Sequence, residues 1–496
     1  MKVRSGIQPV AIARRSAPPK GCQANCRGAV VSGRATPFLR RQHRNEIPIL
    51  IVAHSHLDCR GTLNPFRFNR FAARVLGTDD NDSARAALKE QLKQMLAVGQ
   101  KELPLIEANA ARNVEEGFGR LDAINRIGNQ VFALDLEEPR NYAPTDAPVR
   151  FPHIWTAPWY TWVQYNGSIM QPMVRNAGES LGVRALVNLR GPAASRFDST
   201  ANIHNLYWIE EALAGKNPWA GAKAEPAAQN AKPAASPPGG TTPQFTGLLA
   251  PKWPVSTFPA IDETKRARGQ TLYTELCQGC HLPPPGTPAF WASNRWVEIQ
   301  GNKYLDLKQI PLADIGTDPA QAKGMATRTV VLPPDLPLKS NKSGQAVFAN
   351  ALGDMVENVA NFWYKKNNIP AVQQDTMNGS RPNHLQIPLE YKARTLDGVW
   401  AAGPYLHNGS VPTLYDLLSP REKRPTIVHL GGREYDPTKV GYRNVEIKGG
   451  FALDTTKPGN SNAGHEFRDG PRGQGVIGRG LSDDERWALI EFLKTL

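Results

Sequence analysis

Five consecutive residues, Cys277-Gln-Gly-Cys280-His281, form the most specific chemical motif of the chain. Two thiols at this spacing can add across the vinyl groups of a haem, and the adjoining imidazole can bind the iron. With 5 cysteines and 10 histidines in 496 residues, chance produces the motif in about one such chain in a thousand. The sequence therefore predicts one covalently bound haem c, with Cys277 and Cys280 as thioether residues and His281 as the proximal iron ligand.

Two other chemistries use a Cys-x-x-Cys pair. A structural zinc site would need a second pair of ligands, and no other cysteine is near Cys277 in the sequence. A thioredoxin-like redox motif would need a βαβ context, whereas the surrounding sequence has a helical pattern. Both readings are therefore weaker than haem attachment.

The opposite face of the iron requires a ligand or a vacancy. His465 lies on the loop before the last predicted helix, where small cytochromes place their distal ligand, and His407 is the alternative histidine. Met325, Met355 and an open position also remain possible, but no methionine follows Met377. A His/His pair would give a six-coordinate iron of low potential, suited to electron transfer.

Two helices are expected to position the motif. The first runs from Ile261 to Leu276, and it carries Gly269 and Tyr273 on one face, eight and four residues before Cys277. The second closes the chain from Leu481 to Leu496. Because a glycine permits close approach of another helix, we expect these two helices to pack against each other.

Other helices are predicted on the amino-terminal side, and strand signals are sparse. Apolar periodicity predicts helices at Ser83–Gln100 and Ile203–Ala214, and a glycine-interrupted helix at Asn113–Leu136. Residues 151–165 are aromatic-rich and broken by proline, which favours a loop lining a core. The predicted fold class is mainly α.

Composition divides the chain into four parts. Residues 1–63 read as an irregular basic segment, and residues 64–215 as an amino-terminal domain. Residues 216–256 are rich in Pro, Ala and Gly and read as a linker. Residues 257–496 form the predicted cytochrome c domain.

The charge distribution argues against a nucleic-acid partner. The chain has a formal net charge of +14, but Met1–Arg60 contributes +9 of it, with eleven Lys or Arg against two acidic residues. The remainder is therefore only modestly basic. No apolar run approaches 18 residues, so we expect no membrane span.

The run from Tyr391 to Trp400, continued by AAGPYLHNGSVPTLYDLL at 401–418, resembles the carboxy-terminal half of bacterial di-haem cytochrome c peroxidases. It is more similar to the large branch of that superfamily that includes the rubber oxygenases. Further similar segments are residues 117–131, 162–183, 431–442 and 460–467. The resemblance implies a cytochrome c-like carboxy-terminal haem domain plus an incomplete amino-terminal cytochrome c peroxidase-like domain.

The resemblance also implies a division of labour between two haems. The carboxy-terminal haem, with two protein ligands, accepts electrons, and Cys277–His281 matches its motif. His465 matches the distal ligand of the rubber-oxygenase branch. Residues 166–175 would border the pocket of an amino-terminal haem that reacts with peroxide or oxygen, and Trp159 and Trp162 could relay electrons.

The sequence departs from the family at the first haem. No second Cys-x-x-Cys-His occurs; Cys22 and Cys26 are separated by three residues, and Arg27 follows them where a histidine is required. No secretion signal is visible either. We therefore expect residues 1–63 to be out of frame or wrongly started.

The predicted function is that of a c-type cytochrome that transfers electrons. The alternatives are a peroxidase that reduces hydrogen peroxide and an oxygenase that cleaves an unsaturated hydrocarbon, each of which would need a second haem. The expected partner is a redox protein or a small electron donor. Because haem attachment to Cys-x-x-Cys-His occurs outside the cytoplasm, the expected location is the periplasm.

Overall fold

A computed structural model describes residues 62–220 and 242–496. Residues 1–61 and 221–241 lie outside the described part, and with them most of the predicted basic segment and the centre of the predicted linker. The described residues all fall within one compact unit, Ile47–Leu496.

Helices make up most of the regular structure, with fourteen α-helices in the described residues. They are α1 (Pro65–Leu76), α2 (Asp82–Asn109), α3 (Ala123–Gly128), α4 (Pro172–Gly182), α5 (Ile203–Ala214), α6 (Glu263–Leu276), α7 (Gln278–His281), α8 (Pro288–Trp291), α9 (Leu312–Ile315), α10 (Ala320–Thr327), α11 (Phe348–Lys366), α12 (Ala371–Met377), α13 (Leu414–Leu417) and α14 (Asp483–Leu493).

The strands are short, and in the described residues they form only two-stranded pairs. The pairs are β1 (Arg120–Leu121) with β2 (Val149–Arg150), β3 (Trp296–Ile299) with β4 (Asn302–Leu305), β5 (Gln309–Pro311) with β8 (Glu390–Lys392), β6 (Thr329–Val331) with β7 (Gln345–Val347), β9 (Ile427–Leu430) with β12 (Phe451–Asp454), β10 (Tyr435–Asp436) with β11 (Gly441–Tyr442), and β13 (Glu466–Phe467) with β14 (Val476–Gly478). Only the last pair is parallel. Strands of two to four residues carry little alternation, which explains the sparse strand signal of a mainly helical chain.

One predicted helix was wrong over its first half. The glycine-interrupted stretch Asn113–Leu136 contains loops and β1 before α3 begins at Ala123. Gly117 and Gly119 have φ angles of 70° and 72°, a left-handed conformation that a continuing α-helix cannot contain. The Asp122 carboxylate then caps α3 by accepting a hydrogen bond from the Asn125 backbone N–H. Helix α3 continues into π-helical turns over Asn129–Asp135.

The hydrophobic core consists of two large clusters that do not follow the order of the chain. The first combines buried side chains from residues 124–203 with others from 282–377. The second combines residues 253–273 with 399–493. Residues after the haem motif therefore contribute to both clusters. The four-part division of the chain drawn from composition stays a prediction.

Helices α6 and α14 pack face to face, as the sequence predicts. A Cβ atom added at Gly269 would overlap the carbonyl oxygen of Ala488, so the two backbones approach closely at this point. Next to it, the rings of Tyr273 and Phe492 have centroids 5.1 Å apart. A capping box begins α14, with reciprocal hydrogen bonds between Ser482 and Glu485.

Candidate haem site and adjoining cavity

The Cys-x-x-Cys-His motif forms a single helical turn at the end of α6. The Cys277 N–H donates to the Tyr273 carbonyl, and α7 follows directly. Leu282 ends this turn with a φ angle of 68°. The buried Tyr273 hydroxyl donates to the Leu282 carbonyl at 2.7 Å. Tyr273 therefore fixes the turn that holds both thiols and the imidazole of His281.

The surroundings of the two cysteines differ from those of a reactive redox pair. Cys277 and Cys280 form no disulfide with each other, and Cys277 packs against the second hydrophobic cluster. Burial raises the pKa of Cys277 to about 12, whereas a thioredoxin-like cysteine needs a lowered pKa. In the described part of the chain, no group of three or more His, Cys, Asp or Glu residues is arranged to hold a metal ion. The site geometry thus favours neither the redox nor the zinc reading.

The tertiary structure brings His281 and His465 together. Their ring centroids are 6.2 Å apart, and the ring planes make an angle of 60°. The Nδ1–H of His281 donates to the Arg394 carbonyl at 2.6 Å. This hydrogen bond fixes the tautomer and leaves the Nε2 lone pair of His281 free to bind a metal.

The backbone around His465 is held in an uncommon conformation. His465 has a φ angle of 51° and follows Gly464 with a φ of 78°. The His465 N–H donates to the Ile315 carbonyl at 3.0 Å, and a Cβ at Gly464 would overlap that same oxygen. Strained backbone that packing holds in place is found most often at functional sites. In this conformation the His465 ring lies beside the His281 ring.

The protonation states of the two imidazoles suit a metal. Burial lowers the pKa of His281, and burial followed by the neighbouring His281 lowers the pKa of His465 to about 3. Both rings are therefore neutral at physiological pH, which is the metal-binding form. A metal between the two rings would form bonds of about 2 Å to one nitrogen of each. Those two bonds, together with the distance from each nitrogen to the centre of its ring, match the 6.2 Å between the ring centroids. The residues present thus fit a six-coordinate haem iron.

The other distal candidates lie in different surroundings. The His407 ring lies 4.2 Å from Tyr391 and 5.9 Å from Tyr165, measured between centroids. Met325 and Met355 belong to the first hydrophobic cluster, whereas Cys277 packs against the second. Of the four candidate side chains, His465 is the one whose ring faces His281.

A cavity of about 610 Å³ is lined by residues between Leu121 and Leu213 together with Lys392 and Arg394. From the segment that the resemblance placed beside a first haem, Arg175 lines this cavity. Asn166 is completely buried, and its side-chain amide has no hydrogen-bond partner among the described residues. No cysteine is among the described residues that line the cavity.

The two tryptophans proposed as relays have mainly structural contacts. The Trp159 indole N–H donates to the Ala214 carbonyl at 3.0 Å, and its ring stacks on Tyr304. The Trp162 carbonyl accepts a hydrogen bond from the Lys392 ammonium at 3.0 Å. Their role in electron relay stays a prediction.

Sequence reasoning missed three residues around the cavity: His153, Lys392 and Arg394. Strand β8 pairs with β5 so that Lys392 lies opposite Gln309. Two residues further on, the Arg394 carbonyl accepts the hydrogen bond from His281. A Lys-x-Arg alternation at the end of a strand normally indicates a solvated face. Nothing in the local pattern shows that both side chains turn inward.

Comparison with known proteins finds a matching family model and similar proteins. A family model described as RoxA-like, cytochrome c-like matches residues 390–429. The uncharacterized protein y4iJ of Sinorhizobium fredii (strain NBRC 101917 / NGR234) is 51% identical over 436 residues, which cover 87% of this chain and 69% of y4iJ. The uncharacterized protein y4iM of the same strain is 45% identical over 85 residues, which cover 15% of this chain and 19% of y4iM.

The motif and the two kinds of match together give the class of protein and its family. The haem-attachment motif and the cytochrome c-like match identify a c-type cytochrome, which carries haem c and its iron. The chain belongs to the same family as y4iJ, and its match to the RoxA-like model relates it to the cytochromes of the rubber-oxygenase type. None of the helices in the described residues is both long and apolar enough to cross a membrane.

Proposed function

We propose that this protein is an electron-transfer cytochrome whose haem iron is bound by His281 and His465. The observation that carries the proposal is the 6.2 Å separation of the two half-buried, neutral imidazoles. When bound, haem c supplies a one-electron redox centre. Two protein ligands leave no free coordination position, which suits electron transfer better than the binding of a small molecule.

The polypeptide contributes position and basicity. Cys277 and Cys280 provide covalent attachment. The Tyr273 hydroxyl fixes the turn that contains them by donating a hydrogen bond to the Leu282 carbonyl. The Arg394 carbonyl accepts the Nδ1–H of His281, which orients the ring and increases the electron density at Nε2. The second hydrophobic cluster limits the access of water to Cys277.

The distal ligand can be tested in the haem-loaded full chain with His465→Ala. We expect the absorption and electron paramagnetic resonance spectra to change from low spin to predominantly high spin, because one strong-field ligand is lost. His407→Ala is the matched control, since that ring contacts Tyr391 and Tyr165, and it should remain low spin. A low-spin His465→Ala variant, or a high-spin His407→Ala variant, would contradict the assignment.

A conservative ligand change separates coordination from folding. His465→Met should keep the iron six-coordinate while raising its reduction potential, because thioether ligation favours the reduced iron. Potentiometric titration of the wild type and the variant measures this shift. An unchanged potential would show that residue 465 is not bound to the iron.

The catalytic alternatives are peroxide reduction and oxidative cleavage of an unsaturated hydrocarbon. By the resemblance, each needs a second haem with a free coordination position. Among the described residues, the wall of the cavity beside Arg394 includes one histidine, His153, but no cysteine. We expect the reduced protein to show no peroxide turnover; steady consumption of hydrogen peroxide with a reductant would favour the peroxidase instead.

The physiological setting follows from the attachment chemistry. We propose a periplasmic location, because haem attachment to Cys-x-x-Cys-His takes place outside the cytoplasm, and a redox protein or small electron donor as partner. Expression with and without an export leader tests the location. Haem incorporation should depend on the leader.

A further inference from the structure

The loop that carries His465 has no regular structure of its own. We call residues 460–465 the distal loop; it precedes β13 and contributes no residue to a helix or strand. Because no helical or sheet ladder satisfies its carbonyl groups, their donors must come from elsewhere. Side chains supply them. The Asn408 amide donates to the Ser461 carbonyl at 2.9 Å, and the Ser410 hydroxyl donates to the same oxygen at 3.0 Å.

The second half of the distal loop is bonded by one buried side chain, that of Arg424. Its guanidinium donates to five backbone carbonyls, three in the distal loop and two at or just after the end of α13: those of Asn462 (2.6 Å), Gly464 (2.9 Å), His465 (3.2 Å), Leu417 (3.1 Å) and Ser419 (3.3 Å). A guanidinium has five N–H groups in one rigid plane. Each of them has an acceptor here, so Arg424 connects two segments that are far apart in the sequence.

The peptide groups on both sides of the His465 α-carbon are fixed by hydrogen bonds. Its N–H donates to the Ile315 carbonyl at 3.0 Å, and its own carbonyl accepts from Arg424 at 3.2 Å. An uncommon conformation such as its φ of 51° persists only where surrounding contacts hold it. The Asn462 side chain reinforces the same connection by donating to the Pro425 carbonyl at 3.0 Å.

Arg424 does not act as half of an ion pair. Among the described residues no carboxylate lies within salt-bridge distance of its guanidinium, and Glu466, next to His465 in the sequence, pairs with Arg468 at 3.6 Å. Burying a cation costs free energy, which the five carbonyl dipoles must offset. An apolar side chain would avoid that cost but would leave the carbonyls without donors. The contacts therefore indicate that Arg424 serves the backbone of the distal loop.

From these contacts we propose that Arg424 is the positioning residue for the distal iron ligand, because it holds the loop from which His465 reaches the iron. The inference rests on the proposed function, since it requires His465 to bind the iron. A small ligand such as cyanide can bind a six-coordinate iron only after a protein ligand has left. The rate of cyanide binding to the ferric protein therefore measures how firmly His465 is held.

Stopped-flow mixing of the haem-loaded full chain with cyanide tests the proposal. We expect Arg424→Met to bind cyanide at least about tenfold faster than the wild type, because the charged donors that hold the distal loop are lost. Arg424→Lys keeps the charge but has three donors in place of five, so its rate should lie between those two. Asn462→Ala removes only the bond to Pro425 and should give a smaller increase. This milder variant and Arg424→Lys decide the question if Arg424→Met does not fold.

Arg328→Met is the matched control for the loss of a buried, hydrogen-bonded guanidinium. Arg328 donates to Asn125, Asn129 and Asn141, none of which belongs to the distal loop. Its replacement should therefore lower the stability of the protein but keep the wild-type rate of cyanide binding. Circular dichroism reports the fold of each variant. An Arg328→Met protein that binds cyanide as fast as Arg424→Met would show that general destabilisation is the cause, and would overturn the proposal.

His465→Ala separates this inference from the proposed function. If His465 binds the iron, this variant should bind cyanide fastest of all. A wild-type rate in His465→Ala would overturn the ligand assignment itself. Fast binding in His465→Ala, together with wild-type rates in the folded Arg424 and Asn462 variants, would overturn only the positioning role of Arg424.

Discussion

Burial and hydrogen bonding set the chemistry of individual residues at the candidate haem site. His281 is oriented by one carbonyl oxygen, that of Arg394, and His465 by its backbone bond to Ile315. Both rings are neutral because a charged imidazole would lose its hydration. The same desolvation acts on the carboxylate of Asp135, away from the haem motif, where its consequence for stability can be measured.

Asp135 should make the unfolding free energy depend on pH. Burial raises the pKa of Asp135 to about 7, even though its carboxylate accepts hydrogen bonds from Val187 and Gln130 and lies near Arg184. The folded state therefore binds the proton more tightly than the unfolded state, whose pKa is near 3.8. This contribution is fully present below about pH 4 and is lost as the pH rises towards 7, at up to about 1.4 kcal/mol per pH unit.

Urea denaturation at several pH values measures the effect in Asp135→Asn. This variant should lose less stability than the wild type between about pH 4 and pH 7, because its amide does not titrate. Asp79→Asn, at an exposed position, is the matched control and should follow the wild-type profile. Identical profiles for Asp135→Asn and the wild type would show that Asp135 does not titrate in this range.

The contact between α6 and α14 is the element that holds the haem-attachment turn. The two backbones meet at Gly269 and Ala488, and Tyr273 extends from the same face of α6 to the Leu282 carbonyl. A change at the crossing point therefore affects both the packing of the helices and the position of the motif.

Gly269→Ala should destabilise the protein by about 1–3 kcal/mol, because the added methyl group forces the two helix backbones apart. Gly324→Ala in α10 is the matched control, because no atom of the described residues lies within 4 Å of an added Cβ there. It should be neutral or stabilising by up to about 1 kcal/mol. Thermal or urea unfolding of the two variants gives the comparison. Equal stabilities would contradict the close crossing.

At the scale of the whole molecule, segments far apart in sequence build each site. The candidate haem site joins α7, the strand that ends near Arg394, and the loop that carries His465. The cavity joins α4 and α5 to Lys392 and Arg394. Arg394 is common to both, with its carbonyl at the haem site and its side chain at the cavity.

The number of haems per chain is a property of the whole molecule that can be counted. With a single Cys-x-x-Cys-His in the sequence, we expect one covalent haem per chain by pyridine haemochrome assay and intact mass. The double variant Cys277→Ala/Cys280→Ala should carry none. A second covalent haem in the wild type would contradict this expectation and would revive the catalytic alternatives.

The sequence by itself determined the features that depend on local spacing. The attachment motif, helix α5, the capping box of α14 and the close approach at Gly269 all follow from residues a few positions apart. The family match at 390–429 supports the likeness of residues 391–418 to the rubber-oxygenase branch, whereas the likeness to di-haem cytochrome c peroxidases stays a prediction. Local spacing failed at Asn113–Leu136, where two glycines of positive φ override the helical pattern.

Only the tertiary structure decided which distant groups meet. The sequence offered His465 and His407 as distal ligands, and packing turned the first ring to His281 and the second to Tyr391. It also turned Lys392 and Arg394 inward and gave His281 its carbonyl partner. The reason is physical: spacing along a chain fixes neighbours within one turn or strand, whereas contacts between loops depend on how the two hydrophobic clusters bring separate segments together.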